Sequence, residues 1–194
     1  MLRTVLLTLL TLSIAIGGGA GSLYFVIKSA PPIGPVEAGP WIAFPDLGTT
    51  LADPYSRARF AREGGIPFGR AEGVVFTATQ DSAGQALSRT CTYRVEGSMP
   101  STRFWTLHAA DMLGVPLPPL GRRPAALNSE VILHRPGNAL VISVSPHPHP
   151  ENWLPVTGQQ AMQLVLTLLD TPVSAGFEIT ELALPEINRV NCDA

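Results

Sequence analysis

The chain has 194 residues, 45% of them hydrophobic and 14% charged, enough for one packed domain beside an N-terminal segment. Thirteen Lys and Arg against fifteen Asp and Glu leave a formal net charge of −2. The basic field that nucleic-acid binding draws on is therefore missing, and nucleic acid is not expected as a partner.

In chain order, the first element is apolar. No residue between Arg3 and Lys28 is charged, and Val5–Ile27, at about 1.5 Å per residue, is long enough for a hydrocarbon core of about 30 Å. Two readings stand: an uncleaved transmembrane anchor, or a signal peptide cut after the small residues of Gly17-Gly18-Gly19-Ala20. The apolar run resumes at Leu23-Tyr24-Phe25-Val26-Ile27, which favours the anchor. A short basic N-terminus before an apolar run places the N-terminus inside and the body outside the cytoplasm. The expected location is the inner (cytoplasmic) membrane of a bacterium, with a periplasmic C-terminal domain.

Residues 29–52 contain Pro31-Pro32, Gly34-Pro35 and Gly39-Pro40, and read as an extended stalk. Trp41-Ile42-Ala43-Phe44 interrupts it as an edge strand or an apolar clip. Asp53-Pro54 is a helix start, with aspartate as cap and proline at the first helical position, and Gly64-Gly65 is the stop. Within that helix Tyr55, Ala58 and Ala61 share a face. Arg57, Arg59 and Arg62 occupy the rest, either as a solvated surface or toward an anionic partner or lipid headgroup.

From Val74 the period becomes two. Strands are predicted at Val74–Gln80, Thr90–Glu96, Phe104–Ala109, Glu130–His134, Ala139–Ser145, Met162–Leu169 and Gly176–Leu184. Asp81-Ser82-Ala83-Gly84 turns between the first two, prolines 116, 118, 119 and 124 impose a long loop, and Pro136-Gly137-Asn138 joins the strands on either side of it. The expected fold is all-β, an antiparallel, jelly-roll-like β-sandwich over residues 53–194 with one short helix. Cys91 and Cys192 are either a disulfide tying the tail to the body, as an oxidising compartment permits, or two unrelated thiols.

Pro67-Phe68-Gly69, the strand–Asp-x-x-Gly–strand of Val74–Val95, Pro100-x-x-x-Phe104-Trp105-x-Leu107, and Asn152-Trp153-Leu154-Pro155 before Met162–Leu169 together resemble domain of unknown function 1214. The resemblance spans about residues 55–185. It implies the β-sandwich and no established activity. It also implies a partner: that domain often follows a companion domain, number 1254, which would here have to come from a separate envelope protein.

The residues themselves support catalysis weakly. His147 and His149 in Pro146-His147-Pro148-His149-Pro150 point the same way on an extended chain, but a metal site needs three or four converging ligands. No metal or cofactor is expected. Asp81, Asp111, Glu130 and Glu178 are the carboxylates from which a glycosidase-type pair could be drawn. There is no Gly-x-Ser-x-Gly elbow, phosphate loop, His-Glu-x-x-His or dinucleotide fingerprint, so no catalytic residue is assigned. Trp153 either plugs the end of the sandwich or anchors a partner. The candidate binding residues are Asn152, Trp153, His147 and His149. The function expected is a membrane-anchored binding or accessory module in the cell envelope; the alternative is an envelope hydrolase acting on glycan or lipid.

Overall fold

The computed structural model describes residues 2–29, 35–62, 68–69, 72–135, 139–171 and 182–193. Leu2–Ser29 is one unbroken helix, α1, that continues through Gly17-Gly18-Gly19. From Leu2 to Val26 it buries nothing against the rest of the protein, and Leu6, Leu9, Ile14, Ile16 and Phe25 all stand exposed. Three of its hydroxyls close on the helix itself, as Thr8, Thr11 and Ser22 donate to carbonyls three or four residues back. A helix in hydrocarbon needs such internal satisfaction. By length and composition α1 can cross a membrane, and a signal sequence in this position would meet the same criteria.

The rest is mostly β. The strands are β1 (Val36–Ala38), β2 (Trp41–Ala43), β3 (Gly73–Ala78), β4 (Cys91–Gly97), β5 (Phe104–Ala110), β6 (Ala126–Asn128), β7 (Leu140–Ser145), β8 (Asn152–Pro155), β9 (Gln163–Leu169) and β10 (Glu186–Cys192). They form a six-stranded sheet in the order β1-β2-β3-β9-β5-β6 and a four-stranded sheet in the order β10-β4-β7-β8. Both sheets supply one shared apolar core. In β9 the alternation is complete: Leu164, Leu166 and Leu168 are buried while Gln163, Val165, Thr167 and Leu169 are half-buried. Each such leucine contributes about 1.5–3 kcal/mol by leaving water. The four-stranded sheet faces it with Tyr93, Val95, Ile142, Val144, Leu154 and Ile187.

Several expectations need correcting. Of residues 29–52, read as a stalk, 36–43 form the β1–β2 hairpin on the edge of the six-stranded sheet. Gly39, at φ +61°, and Pro40 make its two-residue turn, so the pair that looked like a breaker is hairpin chemistry. Trp41 is fully buried, and its indole N–H donates to the Pro185 carbonyl at 2.7 Å, 144 residues away in sequence. Glu130–His134 is not a strand. The Asn128 side-chain oxygen accepts from the amides of Glu130 (3.0 Å) and Val131 (3.2 Å), an Asx turn that stops β6 instead.

Asn152–Pro155, outside every predicted strand, is strand β8, and it runs parallel to β7. The four-stranded sheet is therefore mixed rather than antiparallel. Strand β10 was not foreseen, because a register irregularity between Arg189 and Asn191 breaks its period of two. Most of Gly176–Leu184, the turn Pro136-Gly137-Asn138 and the stop Gly64-Gly65 lie outside the described residues, and residues 182–184 are not in a strand.

Helix α2, Pro54–Arg62, starts where expected. The Asp53 carboxylate accepts from the amides of Tyr55 (2.9 Å) and Ser56 (3.2 Å). A hydrogen bond with the Ser56 side chain holds the Asp53 carboxyl below the usual carboxylate range; desolvation, the next cause in size, opposes it, and these two amides add to the lowering. The buried face is another matter: Tyr55, Ala58 and Ala61 are exposed, and it is Ser56 that turns inward with Phe60 partly covered beside it.

Candidate functional site

The candidate residues lie where β7 gives way to β8, at the edge of the four-stranded sheet. Parallel neighbours usually need a crossover of a dozen residues or more. Here residues 146–151 alone bring the chain from Ser145, opposite Pro155, back to Asn152, opposite Ile142. That return is about 10 Å along the strand, within reach of six extended residues. The Pro-His-Pro-His-Pro run, with φ set at each proline, suits such a stiff extended path. At its end Glu151 takes a left-handed φ of 63°. Its carboxylate receives the Arg135 guanidinium at 2.9 and 3.1 Å.

Asn152, next in the chain, is 6% exposed. Its Oδ1 accepts from the Leu133 amide at 2.7 Å, while Nδ2 donates to the Leu133 carbonyl at 2.7 Å and the Val141 carbonyl at 2.9 Å. The side chain thus imitates a strand partner for residue 133 and uses both of its donors on the backbone. This explains how a chain that is not a strand at 130–134 is nevertheless held against β8.

Trp153 is buried, but it is not one of the residues of the shared core; its neighbour Leu154 is. Successive strand residues point to opposite faces, so the indole packs on the far side of its sheet from the core. Its N–H donates to the Ser145 carbonyl at 3.0 Å. The Arg123 guanidinium, from the proline-rich loop, stacks 5.2 Å from the ring centroid. Trp153 is therefore a bracket between that loop and the sheet edge. Arg123 carried no sequence signal, since it lies in a loop whose path is set by prolines.

The histidines part company. His147 is exposed and meets the Asp193 carboxylate through Nε2 at 2.8 Å, while its amide donates to the Ser145 hydroxyl at 3.1 Å. His149 is half-buried. Among the described residues no group of three or more His, Cys, Asp or Glu side chains converges as a metal site would require.

Two of the carboxylates considered for catalysis, Asp81 and Asp111, are engaged in turns. Asp81 is buried, with Oδ1 accepting from Ala83 (3.1 Å) and Gln85 (2.9 Å) and Oδ2 facing Arg189 Nε at 3.1 Å. Asp111 Oδ1 accepts from Leu113 and Val115, both at 2.9 Å. Glu130 lies in the Asx turn after β6, and Glu178 lies outside the described residues.

Cys91 and Cys192 are joined in a disulfide between directly paired positions of β4 and β10. The tail beyond it supplies Asp193 to His147. Arg189, on the same strand, stacks 5.4 Å from the Tyr93 ring centroid and donates to the Ala86 carbonyl at 2.7 Å. A second region of relief lies around α2. Cavities of about 360 Å³ and 140 Å³ flank the 46–53 loop, the larger lined by Leu47, Gly48, Thr49, Thr50, Arg57 and Phe60.

Comparison with known proteins places the fold. No curated protein matches this chain. Among solved structures it is similar to the VPA0106 protein from Vibrio parahaemolyticus, at TM-score 0.62 and 15% identity over 92% of this chain and 44% of that one. It is also similar to an uncharacterized protein from Burkholderia cenocepacia, at TM-score 0.49 and 15% identity over 94% of this chain and 44% of that one. The chain thus spans less than half the length of the structures it matches, and at such identity the likeness to the Vibrio protein shows the fold alone. The model of the family described as protein of unknown function (DUF1214) matches residues 72–173. With just over half of its length so matched, the chain belongs to the DUF1214 family.

Proposed function

We propose that the protein is a single-pass envelope protein, anchored by residues 1–28, whose two sheets form a jelly-roll-like β-sandwich serving as a binding or accessory module outside the cytoplasm. The observation that carries this reading is α1: more than twenty residues of apolar helix that none of the other described residues buries. Leaving that much apolar surface in water is costly at about 25 cal/mol per Å², and a bilayer removes the cost. The disulfide between Cys91 and Cys192 supports an oxidising compartment, and hence the periplasmic side of an inner membrane.

The partner of this reading is a separate envelope protein carrying the companion domain. The similar Vibrio structure supports it in one respect, being more than twice the matched length. The contact is proposed at the loop before β8, where His147 is exposed and His149 half-buried, with the Asn152-Trp153 bracket behind it.

Two experiments test the proposal. In spheroplasts, external protease should degrade a C-terminal tag that is protected in intact cells; protection in both would place the domain in the cytoplasm and overturn the reading. A cross-linked pull-down of tagged protein from native membrane, identified by mass spectrometry, should recover one specific envelope protein. Recovery of bulk membrane protein alone would remove the accessory role.

A further inference from the structure

We infer that α2 and the 47–51 loop form a seat for anionic phospholipid headgroups, holding the sandwich down on the bilayer that α1 crosses. The inference rests on the anchor reading above and names a partner for a surface that reading leaves unused.

The linkage is short. With β1 already part of the sheet, only six residues lie between Ser29 and Val36, and extended the seven Cα-to-Cα steps span at most about 25 Å. The domain cannot stand far from the membrane. Among the described elements it is α2 that approaches α1. Pro54–Arg62 carries three arginines and no acid. Arg57 and Arg62 are exposed, and among the described residues no carboxylate is paired with Arg57. Beside them Leu51 is 76% and Tyr55 48% exposed. Arg62, seven residues on, shares the helix face of Tyr55, while Arg57 turns to the side of the 47–50 loop; a cation beside an exposed aromatic ring suits the boundary between headgroups and acyl chains.

The notch between loop and helix adds a shaped element. It encloses about 360 Å³ with Arg57 on one wall, Thr49 and Thr50 on the other, and Leu47 and Phe60 as apolar lining. The loop is stiff: the Thr49 hydroxyl donates to the Asp46 carbonyl at 2.8 Å and accepts from the Leu51 amide at 3.1 Å. Any Cβ on Gly48 would collide with the Phe68 carbonyl, so the backbone is pressed against that residue. The Arg57 guanidinium with the Thr50 hydroxyl over apolar lining is a receptor for a phosphodiester whose chains continue into the membrane.

The test uses the full chain in nanodiscs of phosphatidylcholine alone and of phosphatidylcholine with phosphatidylglycerol, read by hydrogen–deuterium exchange. Exchange over residues 47–62 should slow in the anionic discs, by about fivefold in headgroup occupancy for each arginine engaged, and the effect should fade in high salt. Combined Arg57→Ala, Arg59→Ala and Arg62→Ala should abolish the difference, while residues 104–110 keep their slow exchange. Should that variant lose the sheet's protection, Arg57→Glu alone makes the same test at an exposed position.

Equal exchange in both discs, or protection that survives loss of the arginines, overturns the inference and leaves the anchor intact. Protection reproduced by inorganic phosphate in neutral discs overturns the lipid as its source. Recovery of the chain outside the discs overturns both the seat and the anchor.

Discussion

Asn152 offers the sharpest test of whether Asn-Trp-Leu-Pro is architecture or a contact surface. Its amide makes three hydrogen bonds to the backbone, two to Leu133 and one to Val141. At about 1 kcal/mol net per bond, Asn152→Ala should cost about 2–3 kcal/mol. The lower part of that range applies if water reaches the freed groups of Leu133, whose side chain is exposed. For a domain of this size the loss corresponds to a fall in Tm of roughly 5–10 °C.

Asn152→Asp is nearly isosteric and more severe. It removes both donors and sets a carboxylate oxygen against two carbonyls at a position 6% exposed. Burial and the carbonyls would raise that carboxyl's pKa above its unfolded value. Protonation then favours the fold, so the Asp variant should recover stability as the pH falls and lose it as the pH rises through the raised pKa. Urea unfolding of the wild type and both variants at neutral and mildly acid pH measures all of this. An Asn152→Ala variant within about 0.5 kcal/mol of wild type would refute the reasoning. So would an Asp variant as stable as the Ala variant at neutral pH.

Further expectations concern the neighbouring elements. Trp153→Ala should cost about 3–5 kcal/mol, while Trp153→Phe should lose only about 1 kcal/mol for the bond to Ser145, both read by thermal melts. A Trp153→Ala protein of wild-type stability that no longer captures a partner would reassign the indole to binding. The Cys91–Cys192 bridge closes 101 residues, so the chain-entropy model predicts up to about 4–5 kcal/mol lost on reduction. Intact mass should be unchanged by alkylation unless reductant is added. His108 is half-buried in β5, and desolvation holds its pKa below the usual imidazole value. The unfolded chain therefore takes up the proton first, and stability should be full above about pH 6.5 and fall as the pH drops below it. His108→Gln should flatten that part of the urea-midpoint profile, and an unchanged slope would clear His108 of the role.

What could be read from the chain alone is what depends on near neighbours. The uncharged run before Lys28 forms one helix, Asp53-Pro54 starts another, and the strict alternation of Val74–Ala78, Phe104–Ala109 and Leu164–Leu168 marks which side chains face a core. These are local periodicities, and side-chain direction follows from them without knowledge of the partner strand. Where a local signal had two uses, the tertiary structure decided between them. Gly39-Pro40 could break structure or turn a hairpin, and it turns one because Trp41 finds a buried place and the Pro185 carbonyl waiting across the fold. Asn152 could sit in a loop or at a sheet edge, and the parallel pairing of β7 and β8 uses its amide as a strand partner. That Cys91 faces Cys192 depends on the register of β10 on β4, which the irregularity at Arg189 hides from any count of period two. Pairing direction and register are set by how the whole chain closes around one core, and no stretch of a few residues contains that information.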